Sequence, residues 1–293
     1  MRSRIESIGV SMPGGRLFTL GSVDHAVAAG KRCLDDSRYG PAEVQTLINA
    51  GMFRDGHCGE PAMAAFIQER LGINPGFGTT TSFSFDLTNG GVGMLSALQV
   101  ADALMKSGTI RVGMAVSSDA NTDARPDPAY AYPRSGAAVI LDRSPDAHRG
   151  FGSFVFRTFE EHGDASTARV ELFRKKGRLR IEKSDRLDDI YLECAGTVFG
   201  ELLEREGLAA GDIGLVVPSQ ISPCFLGRLP ETLGVAPESI VNVLDETGGD
   251  THTTSPFIAL KTALRLGRAV RGTKAVFLAV GSGVTAGCAL YNF

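Results

Sequence analysis

The segment Phe85-Asp-Leu-Thr-Asn-Gly-Gly-Val-Gly-Met-Leu-Ser-Ala-Leu-Gln-Val-Ala-Asp-Ala-Leu-Met-Lys-Ser-Gly108 decides the fold of this chain. Its start predicts the end of a strand over 81–87, and its apolar repeat predicts a helix over 93–106. Between them, Gly90 and Gly91 either permit a tight turn or present free backbone N–H groups at the helix start. This order of strand, glycine turn and helix is typical of α/β proteins.

Outward from this segment, strands and helices alternate along most of the chain. In the first half, strands are predicted over 4–12, 44–50, 81–87, 111–117 and 136–142, and helices over 26–34, 61–71 and 93–106. In the second half, strands are predicted over 152–159, 213–218, 240–244, 275–280 and 287–293, and helices over 187–206, 226–233 and 257–266. This alternation predicts parallel sheets with helices on both faces. Two similar halves, residues 1–146 and 147–293, indicate an internal duplication.

Composition excludes several classes of protein. The 30 Lys and Arg residues nearly balance 33 Asp and Glu, for a net charge of −3, which argues against nucleic acid as the main partner. No window approaches the apolar length of a membrane span, and the N-terminus has no apolar stretch typical of a signal peptide. The five cysteines are scattered without a CxxC pair, so we expect neither a disulfide framework nor a metal site, and a cytoplasmic location.

Two further segments complete a recognisable pattern. They are Gly214-Leu-Val-Val-Pro-Ser-Gln220 and the C-terminal Ala279-Val-Gly-Ser-Gly-Val-Thr-Ala-Gly-Cys-Ala-Leu-Tyr-Asn-Phe293. Together with the first segment they resemble the ketoacyl-ACP synthase III branch of the thiolase superfamily, including the synthases that join two acyl thioesters head to head. The resemblance implies an α/β thiolase fold, five-layered αβαβα from two pseudo-duplicated halves, in an obligate dimer.

The resemblance also places a Cys-His-Asn catalytic set on three positions of this chain. The nucleophilic Cys position is Gly91, the His position of a Pro-His-Gln pattern is Ser219, and the Asn position is Asp250. Glycine has no nucleophile, and serine cannot hold a proton near neutral pH as imidazole can. An aspartate brings negative charge towards a developing enolate, which is unfavourable for condensation. Three changes together predict that this catalysis is lost.

Parts of the family's substrate pocket remain. The loop Gly281-Ser-Gly283 matches the glycine-rich loop that helps to form the oxyanion hole, so the resemblance implies substrate binding at Asn89, Gly91 and Gly283. The alternative is that the glycines only permit tight turns.

Substrate loading is weakened in comparison with the family. The segment after the first strand, which carries a Trp that stacks on adenine, is largely missing here, and the chain has no Trp. The helix after the Pro-Ser-Gln motif has Arg228 as its only basic residue where an acyl carrier protein would dock. A basic run (Arg174, Lys175, Lys176, Arg178, Arg180 and Lys183) is either a solvated hairpin or a docking site for an acidic carrier or phosphates.

One loop points to a partner subunit. The segment Met52-Phe-Arg-Asp-Gly-His-Cys-Gly-Glu-Pro-Ala62 resembles the interface loop of the head-to-head synthases, whose Glu reaches into the neighbouring subunit as a general base. The resemblance therefore implies that Glu60 serves a partner's site. The alternative is that Glu60 is a favourable charge at the start of a helix beginning at Pro61.

Other candidate residues leave alternatives open. Asp250, His252 and Ser219 could form a base system, or His252 could be an ordinary loop histidine. Cys224 could be a relocated nucleophile or a small packed residue. His57 and Cys58 are adjacent but lack further ligands for a metal.

Three functions fit these observations, and none requires a cofactor. The first is a non-catalytic subunit in a heterodimer with an active ketosynthase homologue. The second is an active acyltransferase or condensing enzyme that uses Asp250 or His252 as a base. The third is a binding module without turnover, either a homodimer that sequesters acyl thioesters or a regulatory scaffold.

Overall fold

Two mixed β-sheets organise the protein, whose computed structural model describes residues 2–12, 21–74, 81–171 and 177–293. The first sheet has the order β1-β5-β4-β2-β3, with β1 (Ser3–Ser11), β2 (Thr46–Asn49), β3 (Phe83–Asp86), β4 (Val112–Asp119) and β5 (Ser135–Arg143). The second has the order β6-β11-β10-β9, with β6 (Gly150–Thr158), β9 (Leu215–Pro218), β10 (Lys274–Gly281) and β11 (Thr285–Asn292).

The prediction of parallel sheets is wrong in part. Strand β2 runs parallel to β3 and β4, and β9 runs parallel to β10. The pairs β1–β5, β4–β5, β10–β11 and β6–β11 are antiparallel. The reason is that β4 and β5, like β10 and β11, follow each other without a crossover helix, so the chain reverses direction between them.

Seven helices of the described residues pack around the sheets. They are α1 (Ser22–Asp35), α2 (Met63–Leu71), α3 (Gly93–Lys106), α4 (Leu187–Glu206), α5 (Pro223–Leu233), α6 (Leu244–Thr247) and α7 (Ser255–Arg265). Short 3₁₀ turns lie at Pro41–Glu43, Asp55–His57, Glu160–His162, Ala210–Asp212, Pro237–Ser239 and His252–Thr254. Among these described residues, no helix is both long and apolar enough to span a bilayer.

The helices and sheets stack in five layers. Helices α1 and α2 cover the outer face of the first sheet, and α4 and α5 cover the outer face of the second. Helices α3 and α7 lie between the two sheets, where buried apolar side chains from both halves form one core. Polar contacts also cross this layer: for example, the Lys261 ammonium donates to the Ile8 carbonyl at 2.8 Å, and the Thr253 and Ser117 hydroxyls bond to each other. The expected αβαβα architecture is confirmed.

The predicted strand over 240–244 is wrong. Ile240 pairs with Val216 at a single position, and α6 begins at Leu244. The buried Gln220 side chain replaces a neighbouring strand here, because its amide donates to the Val241 carbonyl and its oxygen accepts from the Val243 N–H, both at 2.8 Å. Because the Gln220 side chain bonds to these backbone N–H and C=O groups, they do not need hydrogen bonds from a neighbouring strand.

The basic run lies partly in a β-hairpin of β7 (Ser166–Glu171) and β8 (Arg178–Lys183). Arg180 and Arg169 pair with Glu182, both at 2.9 Å, so acidic neighbours offset much of the positive charge. These contacts favour the hairpin interpretation over a docking site. Arg174, Lys175 and Lys176 lie outside the described residues, as do residues 13–20 of the shortened segment after β1.

Candidate functional site

Two backbones pass in close contact at the position where the resemblance places a nucleophile. A Cβ atom on Gly91 would lie 2.6 Å from the Val280 carbonyl oxygen, and one on Gly281 would lie 2.7 Å from the Gly91 nitrogen. Real Cβ atoms essentially never approach backbone so closely, so neither position can carry a side chain unless β10 or the start of α3 moves. The glycine loop and the helix start therefore fit together because both lack side chains.

The other two predicted substrate-binding positions have structural contacts of their own. The Asn89 side chain donates to the Ser96 hydroxyl in α3 at 3.0 Å. Gly283 lies in the exposed turn between β10 and β11 with φ of +120°, a conformation that a side chain would strain. Both observations agree with a turn-forming role, and substrate binding at these positions stays a prediction.

Ser219 follows strand β9 and is buried. Its backbone N–H donates to the Leu278 carbonyl at 2.8 Å, and its hydroxyl oxygen accepts from the Val280 N–H at 3.2 Å. Because this hydroxyl faces the backbone of β10, it contributes to sheet structure at the position where the family carries an imidazole.

His252 lies in the turn before α7 and has a buried acidic partner. Its Nδ1 is 3.0 Å from the Asp119 carboxylate at the end of β4, so Nδ1 carries the proton and donates. Burial alone would lower the pKa of His252, but the Asp119 charge and hydrogen bond outweigh it and raise that pKa. Burial opposes ionisation of Asp119 in turn, and His252 with the hydrogen bonds to the carboxylate holds its pKa below the ordinary value.

Sequence reasoning missed Asp119. The only signal was a carboxylate ending a strand whose other residues are apolar or small. The predicted cluster of Asp250, His252 and Ser219 is therefore correct only in part: Asp250 accepts from the His252 backbone N–H at 2.8 Å, while His252 takes Asp119 as its side-chain partner.

Asp250 and His252 line a small cavity. Tyr132, Lys183, Tyr191 and Ser282 also line it, and its volume is about 30 Å³. That volume accommodates about two water molecules, whereas small-molecule sites commonly have several hundred Å³. Burial raises the pKa of Asp250 to about 6 and the pKa of Tyr191 to about 12.

Aromatic rings pack on His252 beside this cavity. The His252 ring lies 4.8 Å from Tyr132 and 5.1 Å from Phe53, measured between ring centroids. The Lys183 ammonium lies 4.7 Å from the centre of the Tyr132 ring, a cation–π contact that connects the hairpin to these rings.

Glu60 is exposed on its loop, away from this cavity. Helix α2 begins at Met63, and its first free N–H groups donate to the Asp86 carboxylate, at 2.8 Å from Met63 and 2.9 Å from Ala64. The interpretation of Glu60 as the charge at this helix start is therefore wrong, since Asp86 occupies that role. The role of Glu60 in a partner's site stays a prediction.

The remaining candidates do not form a reactive centre. Cys224 is exposed in the first turn of α5, so its interpretation as a packed residue is wrong, and it does not line the cavity. The His57 Nε2 bonds to the Asp123 carboxylate at 2.8 Å. Within the described parts of the chain, no three His, Cys, Asp or Glu side chains are grouped as metal ligands would be.

Comparison with known proteins shows which proteins this chain is similar to. The family model for the C-terminal part of 3-oxoacyl-[acyl-carrier-protein] synthase III matches residues 203–293. The beta-ketoacyl-[acyl-carrier-protein] synthase III of Actinobacillus succinogenes is 28% identical over an alignment that covers 90% of this chain and 82% of the relative. That of Rhodospirillum rubrum is 29% identical, with 91% of this chain and 83% of the relative covered. The chain is thus similar to ketoacyl-ACP synthases III, in sequence over about nine tenths of its length and in fold over nearly all of it.

Solved structures agree on the fold of this synthase III-like protein. The synthase III of Aquifex aeolicus superposes with a TM-score of 0.87 at 21% identity, over 99% of this chain and all of the other. OleA of Xanthomonas campestris, solved with bound lauric acid and lauroyl-CoA, superposes with a TM-score of 0.85 at 19% identity, over 100% of this chain and 99% of the other.

Proposed function

We propose that this synthase III-like protein is a non-catalytic subunit that pairs with an active ketosynthase homologue. The observation that carries the proposal is the lack of space at Gly91. A Cβ atom added there would lie only 2.6 Å from the Val280 carbonyl oxygen. A chain that formed an acyl-cysteine at this position would need both a thiol and space for its Cβ, and this backbone offers neither.

The size of the cavity supports the same proposal. At about 30 Å³, the space between Asp250, His252 and Tyr132 is too small for an acyl chain. Ser219 supplies no base, because its hydroxyl accepts from the backbone of β10. In this proposal the acyl thioester is bound and condensed in the partner, and this chain shapes and supports the partner's site.

A surface suited to pairing lies at the outer edge of the first sheet. Strand β3 is an edge strand, and Phe83 is 66% exposed with its ring stacked on Phe85 at 5.1 Å. Phe66 and Met52 are also exposed, at 39% and 38%. An edge strand with exposed aromatic side chains offers both backbone hydrogen bonds and apolar area to a second sheet. Met52 begins the loop that carries Glu60, so this loop would contribute to the interface.

The docking surfaces for a carrier protein are weak in this chain. Arg228, the one basic residue of α5, pairs with Asp189 at 2.6 Å. We therefore assign recognition of an acyl carrier protein to the partner subunit. All five cysteines are unpaired, which agrees with the proposed location in the cytoplasm.

Native mass spectrometry of the protein purified from its own host tests the proposal. We expect a 1:1 complex with a ketosynthase homologue that retains its cysteine, and no condensation by this chain alone. A lone homodimer, or turnover by the isolated chain, would contradict the proposal.

A second candidate function, a rewired acyltransferase, is favoured by the pairing of His252 with Asp119. A histidine whose Nδ1 is bound to a buried carboxylate has its Nε2 available as a general base. This candidate predicts thioester turnover by the isolated chain, lost in His252→Ala and in Asp250→Ala but retained in His162→Ala, a histidine of a surface turn. Full activity in the first two variants would exclude it.

A further inference from the structure

One buried carboxylate accepts hydrogen bonds from two separate loops. Asp119 ends β4 and has no exposed surface. Its Oδ1 accepts from the Met52 and Phe53 backbone N–H groups, both at 2.8 Å. These two residues begin the segment 52–62 that carries Glu60, which we call the interface loop. That designation rests on the proposed function, but the contacts do not.

The other oxygen of the same carboxylate holds the loop that carries Asp250 and His252. Asp119 Oδ2 accepts from the His252 Nδ1–H at 3.0 Å and the Thr253 N–H at 3.2 Å, and also from the Thr253 hydroxyl. We call residues 249–254 the site loop. A buried carboxylate is stabilised by each of these hydrogen-bond donors, and losing one leaves part of its negative charge without a partner in the protein interior.

The two loops also touch each other directly, and the site loop is strained. The Phe53 ring of the interface loop packs on the His252 ring at 5.1 Å. His252 has φ of +56°, a left-handed conformation that is uncommon for a residue with a side chain. A residue stays in such a conformation only where its surroundings hold it there, and the Asp119 hydrogen bond and the Phe53 ring provide these constraints.

From this geometry we infer that Asp119 couples the site loop to the interface loop, so that a change in one alters the stability of the other. The coupling is reciprocal: a partner that fixes the interface loop also fixes His252, and a group that binds His252 also favours one conformation of the interface loop. In a pair with an active ketosynthase, Asp119 would thus be the positioning residue between this subunit's own degenerate site and the surface presented to its partner.

Hydrogen exchange followed by mass spectrometry on the isolated chain tests this coupling. His252→Gln removes both the imidazole donor to Asp119 and the ring contact with Phe53, and His162→Gln in a surface turn is the matched control. We expect the amides of Met52 and Phe53 to exchange roughly fivefold faster in His252→Gln, because the variant loses the stabilisation that about one hydrogen bond provides. The control should exchange as the wild type does.

A second variant keeps the test decisive if His252→Gln loses its fold. Thr253→Val removes one hydroxyl donor to Asp119 at nearly constant size, and it should also speed exchange in the interface loop. If exchange in that variant rises in the site loop but stays unchanged in residues 52–62, the coupling is overturned. This experiment requires no partner, so its failure would leave the pairing proposal untouched, and failure to find a partner would not affect its outcome.

Discussion

Gly91 and Gly281 bring two backbones together where β10 passes the start of α3. Because an added Cβ on Gly91 would meet the Val280 carbonyl at 2.6 Å, Gly91→Ala should destabilise the fold by about 1–3 kcal/mol, as other overpacked substitutions do. The matched control is Gly227→Ala in α5, where nothing lies near the added methyl, and a gain of about 0.5–1 kcal/mol is expected. Chemical denaturation of both variants measures the difference, and equal stability of Gly91→Ala and the wild type would contradict the steric argument.

Restoring the nucleophile tests the chemistry at the same position. Gly91→Cys should give no ketosynthase turnover, since the thiol has no space and Ser219 and Asp250 still replace the family's His and Asn. Acyl-enzyme formation is measured by mass spectrometry after incubation with an acyl thioester. Robust condensation from this one change would show that the site has retained its function.

Asp250 makes stability depend on pH. Its raised pKa means that the folded state resists ionisation, so this carboxyl lowers stability as pH rises from its ordinary value of 3.8 through about 6. Asp250→Asn should therefore raise the free energy of unfolding by about 1–3 kcal/mol at pH 8 and change it little at pH 4. Calorimetry at both pH values measures this effect, with the exposed Asp185→Asn as the control. A gain at pH 8 no larger than the control's would count against the burial of this charge.

Single residues were predictable where a motif marks them. Local sequence patterns are enough to single out Gly91, Ser219 and Asp250, whose roles stay predictions. Asp119 was not predictable, because its partner His252 lies 133 positions away and only the packing of two sheets brings them together. The residue that caps α2 was not predictable for the same reason. Asp86, which accepts from the N–H groups of Met63 and Ala64, lies at the end of strand β3 and not beside the helix in sequence.

At the scale of elements, the proposed pairing uses the edge strand β3. Phe83→Asp should shift the assembly towards monomer, since it places a charge on the exposed aromatic surface of that edge. The matched control is Leu266→Asp, a similarly exposed apolar residue at 62% exposure in the loop after α7. Sedimentation velocity distinguishes the two variants, and equal dissociation in both would place the interface elsewhere.

Elements with a long, uniform apolar pattern were predictable from the sequence. Helices α3 and α4 have the bounds that their periodicity predicts. The segment 240–244 has the apolar character of a strand, yet its backbone bonds to the Gln220 side chain instead. A local pattern reports which side chains are buried, but it does not report which group satisfies the backbone.

For the whole molecule, the proposed pairing makes Glu60 important only in the assembly. In a complex with its ketosynthase partner, Glu60→Gln should lower turnover roughly a hundredfold, the size of effect typical for a general base. Glu69→Gln, an exposed carboxylate on the neighbouring helix α2, serves as the control. Equal rates for the two variants would leave Glu60 without a catalytic role.

The central layer, where α7 packs against the first sheet, determines what happens while the chain is being made. Strand β5 ends at residue 143, but α7 ends only at residue 265. Helix α3 covers part of the inner face of the first sheet early, but the part along β1 and β5 that α7 covers stays bare for roughly 6–25 s at ribosomal speeds of about 5–20 residues per second. During that time the nascent chain exposes part of an apolar sheet face, so a pause in translation between these points would favour aggregation and make chaperone binding useful.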